Sequence, residues 1–176
     1  MPGSPTTRST TAPTAPLPAV STPGAEATCV PAFSANTLPD TASPVGGQLG
    51  LQSATAALQA GYDRVVFTLA SGGQPGWRVE YITAPTSDGS GNPVAVAGSS
   101  YLQVVLKDVG YPADTGVPDP TLKRFTPSST AAVREVVLDT VYEGQYTAFI
   151  GVSSTLPFRV FRLSSPARVV VDVRHC

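Results

Sequence analysis

From residue 48 to the end of the chain, apolar and polar residues alternate with a period of two. The alternation is clearest in residues 168–174, where valines occupy one set of positions and charged residues the other: Val169, Val171 and Val173 against Arg168, Asp172 and Arg174. Successive side chains of an extended strand point to opposite faces of a sheet. The pattern therefore predicts strands that are buried on one face only.

The same alternation predicts about eight short strands. Nine segments are candidates for them: residues 48–59, 62–70, 77–81, 94–96, 101–107, 133–142, 145–152, 158–163 and 168–173. The first could instead be a short helix, because residues 54–58 have good helical propensity. A Gly-rich turn at residues 71–76 predicts a hairpin between the strands on either side of it, and Glu143–Gly144 predicts another tight turn.

Many short strands without intervening helices predict an all-β fold. The 18 prolines and 16 glycines favour turns over long helices. An antiparallel sandwich and a closed barrel both need alternating strands, so the pattern separates them poorly. We expect an antiparallel β-sandwich.

Composition divides the chain into three segments. Residues 1–28 are rich in Pro, Thr, Ser and Ala and offer little to bury, which predicts a disordered linker: either a stalk or a plain flexible tail. Residues 29–47 have scattered apolar positions and predict an irregular segment packed on the domain. The β-sandwich domain then covers residues 48–176. Within it, the Pro-rich connection 108–130 is where we expect mobility.

The charge and hydropathy exclude several classes of partner. The formal net charge is -1, so we expect no nucleic-acid partner and no attraction to an anionic bilayer. No stretch approaches the roughly 20 apolar residues of a membrane-spanning helix. Residues 1–7 have neither the basic start nor the apolar core of a signal peptide, and we expect a trimmed or mature form of an exported chain.

The two cysteines, Cys29 and Cys176, flank the predicted ordered region. They form either one disulfide or two unrelated thiols, and we expect the disulfide because small exported domains commonly carry one. The location would then be oxidising and extracytoplasmic. Cys29 could also be considered as the lipid-bearing cysteine of a lipoprotein. Glu26, however, places a charge where a lipoprotein signal sequence needs apolar residues.

The candidate chemistry for catalysis or metal binding is sparse. His175 is the only histidine and lies next to the end of the sequence. The usual zinc ligand sets and a well-positioned catalytic triad are therefore not expected. Residues 88–92 have the oxygen spacing of a calcium loop, but Pro93 stands where that loop needs glycine. Glu135 and Asp139, four positions apart on one strand, lie about 13 Å apart, too far for a glycosidase pair. We expect no cofactor, no metal and no enzyme activity.

A binding surface remains as the candidate site. Charged residues lie on the polar faces of the clearest strands, and they are Arg64, Arg78, Glu80, Arg168 and Asp172. Asp63 stands next to Arg64 and completes the candidate set. The arginine fork suits carboxylates, and Trp77 or Tyr62 could stack on a sugar ring. The alternative is a set of cross-strand ion pairs with little energetic value, with Trp77 in the core.

Several segments resemble a known family. Residues 61–67, 75–81, 88–94 and 158–172 occur in this order and resemble the AMIN-like domains of exported bacterial proteins, with a resemblance that covers roughly residues 48–175. It implies an envelope-located β-sandwich without catalysis. AMIN domains accompany cell-wall amidases and secretins and act as targeting modules that associate with peptidoglycan or the division site.

Three functions follow as hypotheses. The first is a non-catalytic envelope module that associates with peptidoglycan or with an envelope protein. The second is a protein-interaction module whose partner binds along a sheet edge or the connection 108–130. The third, an unrecognised envelope hydrolase, has no catalytic residues to support it.

Overall fold

The computed structural model describes Gly3, residues 33–70 and residues 72–176. These residues form ten strands and one short helix. The elements are β1 (Asp40–Ala42), β2 (Gly50–Gln59), β3 (Tyr62–Ala70), β4 (Gly76–Ile82), β5 (Ser100–Lys107), α1 (Pro112–Thr115), β6 (Arg124–Phe125), β7 (Val133–Tyr142), β8 (Gln145–Val152), β9 (Phe158–Leu163) and β10 (Ala167–Arg174).

The strands form two antiparallel sheets stacked as a sandwich. One sheet has six strands in the order β1-β4-β5-β8-β7-β6, and the other has four in the order β2-β3-β10-β9. Each strand pair within the sheets is antiparallel. The predicted all-β, antiparallel fold is confirmed.

The core lies between the two sheets and consists of every second residue of their strands. It includes Val65, Phe67 and Leu69 from β3 and Val169, Val171 and Val173 from β10, all fully buried. Trp77 of β4 is also buried in this core, as its place in the alternation predicted. Burial of these apolar side chains supplies the main driving force for folding.

The predicted hairpin between β3 and β4 is wrong. The two strands belong to different sheets: β3 pairs with β2 and β10, whereas β4 pairs with β1 and β5. Both hydrogen-bonding edges of each strand are therefore occupied by other strands. The chain between them crosses from one layer of the sandwich to the other.

One predicted strand is absent from residues 72–176, and two connecting segments contain short elements. Residues 94–96, predicted as a strand, lie in a loop in which Val94 N–H donates to the carbonyl of Pro85. The segment 29–47 contains the short strand β1, and the connection 108–130 contains α1 and β6. The predicted linker, apart from Gly3, and Cys29 lie outside the described residues, so the pairing of Cys29 with Cys176 stays a prediction.

Glu135 of β7 holds one loop and the edge strand β6 against the six-stranded sheet. Its carboxylate accepts hydrogen bonds from the backbone N–H of Ala97 at 2.7 Å and from Nη1 of Arg124 at 2.8 Å. Ala97 belongs to the loop between β4 and β5, and Arg124 begins β6. Burial alone would raise the pKa of Glu135, but these two hydrogen bonds outweigh it and lower the pKa below 4.5.

Glu135→Gln is expected to lower the free energy of unfolding at neutral pH by about 2 kcal/mol, the usual loss for hydrogen bonds to a charged acceptor. Because the folded-state pKa is lowered, this stabilisation is complete above pH 4.5 and disappears as the pH falls through the folded-state value. Urea unfolding followed by Trp77 fluorescence should therefore show a difference between variant and parent that shrinks in acid. Glu143→Gln, at an exposed turn, is the control. A difference that does not change with pH would contradict this assignment.

Candidate binding face

One broad side of the sandwich carries a concentration of arginines. It is the outward face of the four-stranded sheet, and we call it the arginine face. Its arginines are Arg64 on β3, Arg159 on β9, and Arg168 and Arg174 on β10. The strands alternate, so these positions point away from the valines of the core. Within the four strands, Asp172 is the only acidic residue with this orientation.

Asp172 lies at the centre of the arginine face and joins two of its arginines. Antiparallel register places Asp172 directly opposite Arg64 on β3 and Arg159 on β9. Arg64 donates through Nε at 2.7 Å and Nη2 at 2.9 Å, and Arg159 donates through Nε at 2.9 Å and Nη2 at 2.7 Å. The Asp172 side chain is 0% exposed, so two guanidiniums enclose a single carboxylate. This hydrogen bonding to Asp172 raises the pKa of Arg64.

Aromatic rings hold the same two guanidiniums from the side. Cζ of Arg159 lies 3.7 Å from the ring centroid of Phe33 and 5.1 Å from that of Phe161. Cζ of Arg64 lies 5.4 Å from the centroids of both Phe161 and Tyr62. Such contacts fix the planes of the guanidiniums. The arginine side chains remain 29% and 31% exposed, and the bonds to Asp172 do not use either Nη1 group.

Arg168 and Arg174 extend the positive charge along β10. Arg168 donates through Nε to the carbonyl of Pro166 at 3.3 Å, and Arg174 donates through Nη1 to the carbonyl of Phe33 at 3.5 Å. Neither arginine forms an ion pair with a carboxylate among the residues that the structure describes. With four arginines and one aspartate, the face has an excess of three positive charges. Such a face is suited to an anionic ligand.

The structure brings together three of the six predicted ligand-binding residues. Arg64, Arg168 and Asp172 lie on the arginine face, although Asp172 is buried and not displayed to solvent as the sequence pattern suggested. Asp63 points to the interior side of the same sheet. Its two carboxylate oxygens accept backbone N–H bonds from Ala131 at 3.1 Å, Ala132 at 2.6 Å and Val133 at 2.8 Å.

Arg78 and Glu80, the other predicted residues, lie on the six-stranded sheet. Nε and Nη2 of Arg78 donate to the Glu80 carboxylate at 2.7 Å and 2.9 Å. This hydrogen bonding lowers the pKa of Glu80 and raises that of Arg78. The pair is a local contact along one face of β4, on the opposite side of the molecule from Asp172.

The comparison with known families bears on the whole folded region. The family model of the AMIN-like domain matches residues 49–175 of the chain. The chain belongs to the AMIN-like domain family. A search of curated proteins and a search of solved structures found no match. Membership supports a generally non-catalytic module associated with the cell envelope and placed outside the cytoplasm.

The predicted ligand-binding set omits two arginines and one aromatic residue of this AMIN-like domain's arginine face. They are Arg159, Arg174 and Phe161. Arg159 and Phe161 occupy alternate positions of β9, so their common face could have been found from the period of two. Their position beside Asp172 depends on strand register, which the period does not give.

The opposite side of the AMIN-like domain has a different charge. A polar groove of 360 Å³ on the six-stranded sheet contains one arginine, Arg78, and three acidic residues, Glu80, Asp88 and Glu143. Asp88 accepts a hydrogen bond from the hydroxyl of Thr147, which ties the loop between β4 and β5 to β8. The groove therefore carries an excess of negative charge, opposite in sign to that of the arginine face.

Two further observations concern metals and membranes. In the described part of the chain, no three His, Cys, Asp or Glu side chains are grouped so that they could hold a metal ion. None of the helices formed by residues 33–70 and 72–176 has the length and apolar character needed to span a membrane.

Proposed function

We propose that this AMIN-like domain is a non-catalytic module outside the cytoplasm that binds peptidoglycan through its arginine face. The observation that carries the proposal is the excess of three positive charges around one buried aspartate. Family membership supports the location and the absence of catalysis. The proposed ligand groups are the carboxylates of the peptidoglycan peptides.

The arrangement of the arginines suits this ligand. Arg64 and Arg159 are held in place by Asp172 and the aromatic rings, so little side-chain entropy is lost when their remaining N–H groups bind a carboxylate. Arg168 and Arg174 have no carboxylate partner among the described residues and offer further donors. Repeated carboxylates on a polymer can engage several of these arginines at once, which increases avidity.

A second candidate is a protein partner that adds a strand to the four-stranded sheet. β9 is the last strand of that sheet, and from Val160 to Leu163 no other described strand pairs with its free edge. An extended segment could hydrogen-bond there by β-augmentation. Cross-linking in cells to one protein, without sedimentation on purified peptidoglycan, would favour this candidate.

The double variant Arg64→Gln, Arg168→Gln is expected to bind purified sacculi at least about tenfold more weakly, because two charge-assisted contacts are lost. Arg159 remains in this variant and keeps Asp172 paired. Co-sedimentation at low salt measures the bound fraction, and added salt should reduce the binding of the parent chain.

Arg78→Gln, on the opposite sheet, is the matched control and should sediment with sacculi like the parent. If the parent stays in the supernatant at low salt, peptidoglycan binding is wrong. If the control loses as much binding as the double variant, the arginine face is not the binding site.

A further inference from the structure

A cleft of 640 Å³ lies at one end of the sandwich, between the connection that follows β3 and the turn that joins β9 to β10. Its walls are residues 69–70, 72–75 and 162–167. The cleft is separate from the arginine face. Arg162 lies opposite Val169 of the core in the β9–β10 register, and so belongs to the other side of the sheet from Arg159.

The two walls of the cleft combine apolar surface with hydrogen-bond donors. Apolar side chains come from both walls: Leu69, Ala70, Pro75, Leu163, Pro166 and Ala167. The polar side chains are those of Arg162, Gln74, Ser164 and Ser165. None of the lining residues is acidic. The cleft is therefore suited to a ligand that has both an anionic group and small aliphatic groups.

Arg162 supplies the positive charge, and its position is fixed by neutral partners. Nη1 donates to Oε1 of Gln74 at 3.1 Å, and Nη2 donates to the carbonyl of Ser43 at 3.3 Å. Cζ lies 5.2 Å from the ring centroid of Trp77. No carboxylate forms an ion pair with Arg162 in residues 33–70 or 72–176. The guanidinium thus keeps its charge available to an anion in the cleft.

The wall at residues 72–73 is held rigidly by close packing of its backbone. A Cβ on Gly72 would collide with the carbonyl of Gln48, and one on Gly73 would collide with the carbonyl of Val45. The N–H of Gly73 also donates to the carbonyl of Gly47 at 2.8 Å. These contacts keep the wall in place without a ligand, and a preformed cleft loses little entropy on binding.

We propose that this cleft binds the carboxylate end of a short peptide with small aliphatic side chains. Arg162 would form an ion pair with the carboxylate of the peptide. The Gln74 amide and the serine hydroxyls would hydrogen-bond to its peptide groups, and the apolar side chains of the cleft would cover its aliphatic side chains. An inorganic anion would leave the apolar wall uncovered. A fatty acid would leave the amide and hydroxyls without partners. The volume lies in the range of small-molecule sites, about 300–1,000 Å³.

Two kinds of molecule carry a terminal carboxylate on a peptide with small aliphatic side chains. They are the peptides of peptidoglycan and the C-terminal end of a protein chain. They differ in the chirality of their terminal residues. The site is distinct from the arginine face, so the inference goes beyond the proposed function.

The test uses acetylated trialanine as the probe, titrated into the isotope-labelled whole chain and followed by NMR. The free acid should shift the backbone signals of residues 72–75 and 162–167. The C-terminal amide should bind at least about tenfold more weakly, since the charged contact with Arg162 is lost. Tighter binding of the all-D acid favours peptidoglycan as the source, whereas tighter binding of the all-L acid favours a protein end.

Arg162→Gln should weaken binding of the acid at least about tenfold. Arg162→Lys keeps the positive charge but loses the planar guanidinium that binds a carboxylate through two parallel N–H groups, so it should weaken this binding less. Arg78→Gln, on the six-stranded sheet and outside the cleft, is the matched control and should bind the acid normally. Shifts that map to the arginine face, equal binding of acid and amide, or no binding of either acid would overturn the proposal. Arg162→Gln should still sediment with sacculi, so this test and that of the proposed function can fail separately.

Discussion

Asp63→Ala is expected to lower the free energy of unfolding by about 4 kcal/mol, because three backbone N–H groups would lose their acceptor and each unsatisfied buried donor costs about 1–3 kcal/mol. These are the N–H groups of Ala131, Ala132 and Val133, the last two within 2.8 Å of the carboxylate. They lie where the chain enters β7. Asp63 therefore joins β3 of one sheet to the start of a strand in the other.

Urea unfolding of Asp63→Asn separates the loss of these hydrogen bonds from the creation of a cavity. An asparagine keeps the size of the side chain but has one acceptor oxygen, and its NH₂ group would face at least one backbone donor. We expect a loss of about 3 kcal/mol, close to that of the alanine variant. Asp119→Asn, an exposed site paired with Lys123, is the control and should change little. A loss below about 1 kcal/mol for Asp63→Asn would show that the hydrogen bonds to the charged carboxylate contribute little to stability.

Removal of the predicted disulfide should have an effect of similar size. Cys29→Ser or Cys176→Ser is expected to lower the free energy of unfolding by about 4 kcal/mol, because a bridge that closes so long a loop restricts the unfolded chain. Cys176 follows β10, and its Sγ lies 3.2 Å from the carbonyl oxygen of Gly61. Cross-linking this end of the chain to residue 29 would constrain nearly the whole domain.

Thiol titration of natively purified protein in denaturant tests the pairing directly. No reactive thiol should appear before reduction, and reduction should destabilise the parent as much as either serine variant. The double variant should be no less stable than the single ones, since each breaks the same bond. Two free thiols in unreduced protein would rule out the disulfide.

The strands themselves could largely be predicted from the sequence, but their neighbours could not. The predicted bounds of β3, β7 and β8 agree with the structure, because each segment is rich in β-branched and aromatic residues and is bounded by turn residues. In the β7–β8 turn, Glu143 and Gly144 both have positive φ, as a two-residue hairpin requires. The Gly-rich stretch after β3 resembles such a turn, yet it leads to the other sheet. Period-two patterns give the buried face of a strand and leave its pairing open.

The candidate site was predicted in part for the same reason. Arg168 and Asp172 share a strand, so their common face follows from spacing alone. Arg64 joins them only through the β3–β10 register. Asp63 could have been excluded from that face, because adjacent residues of a strand point to opposite sides. Arg78 and Glu80 follow the same alternation but belong to the other sheet, which no local pattern reveals.

The opposite charges of the arginine face and of the polar groove on the six-stranded sheet give the domain a charge asymmetry across its thickness. Near a polyanion, such a body experiences a torque that turns the arginine face toward the surface before contact. The groove that contains Glu80, Asp88 and Glu143 then faces outward. A domain that adheres in this single orientation always presents the same acidic side to whatever approaches from solution.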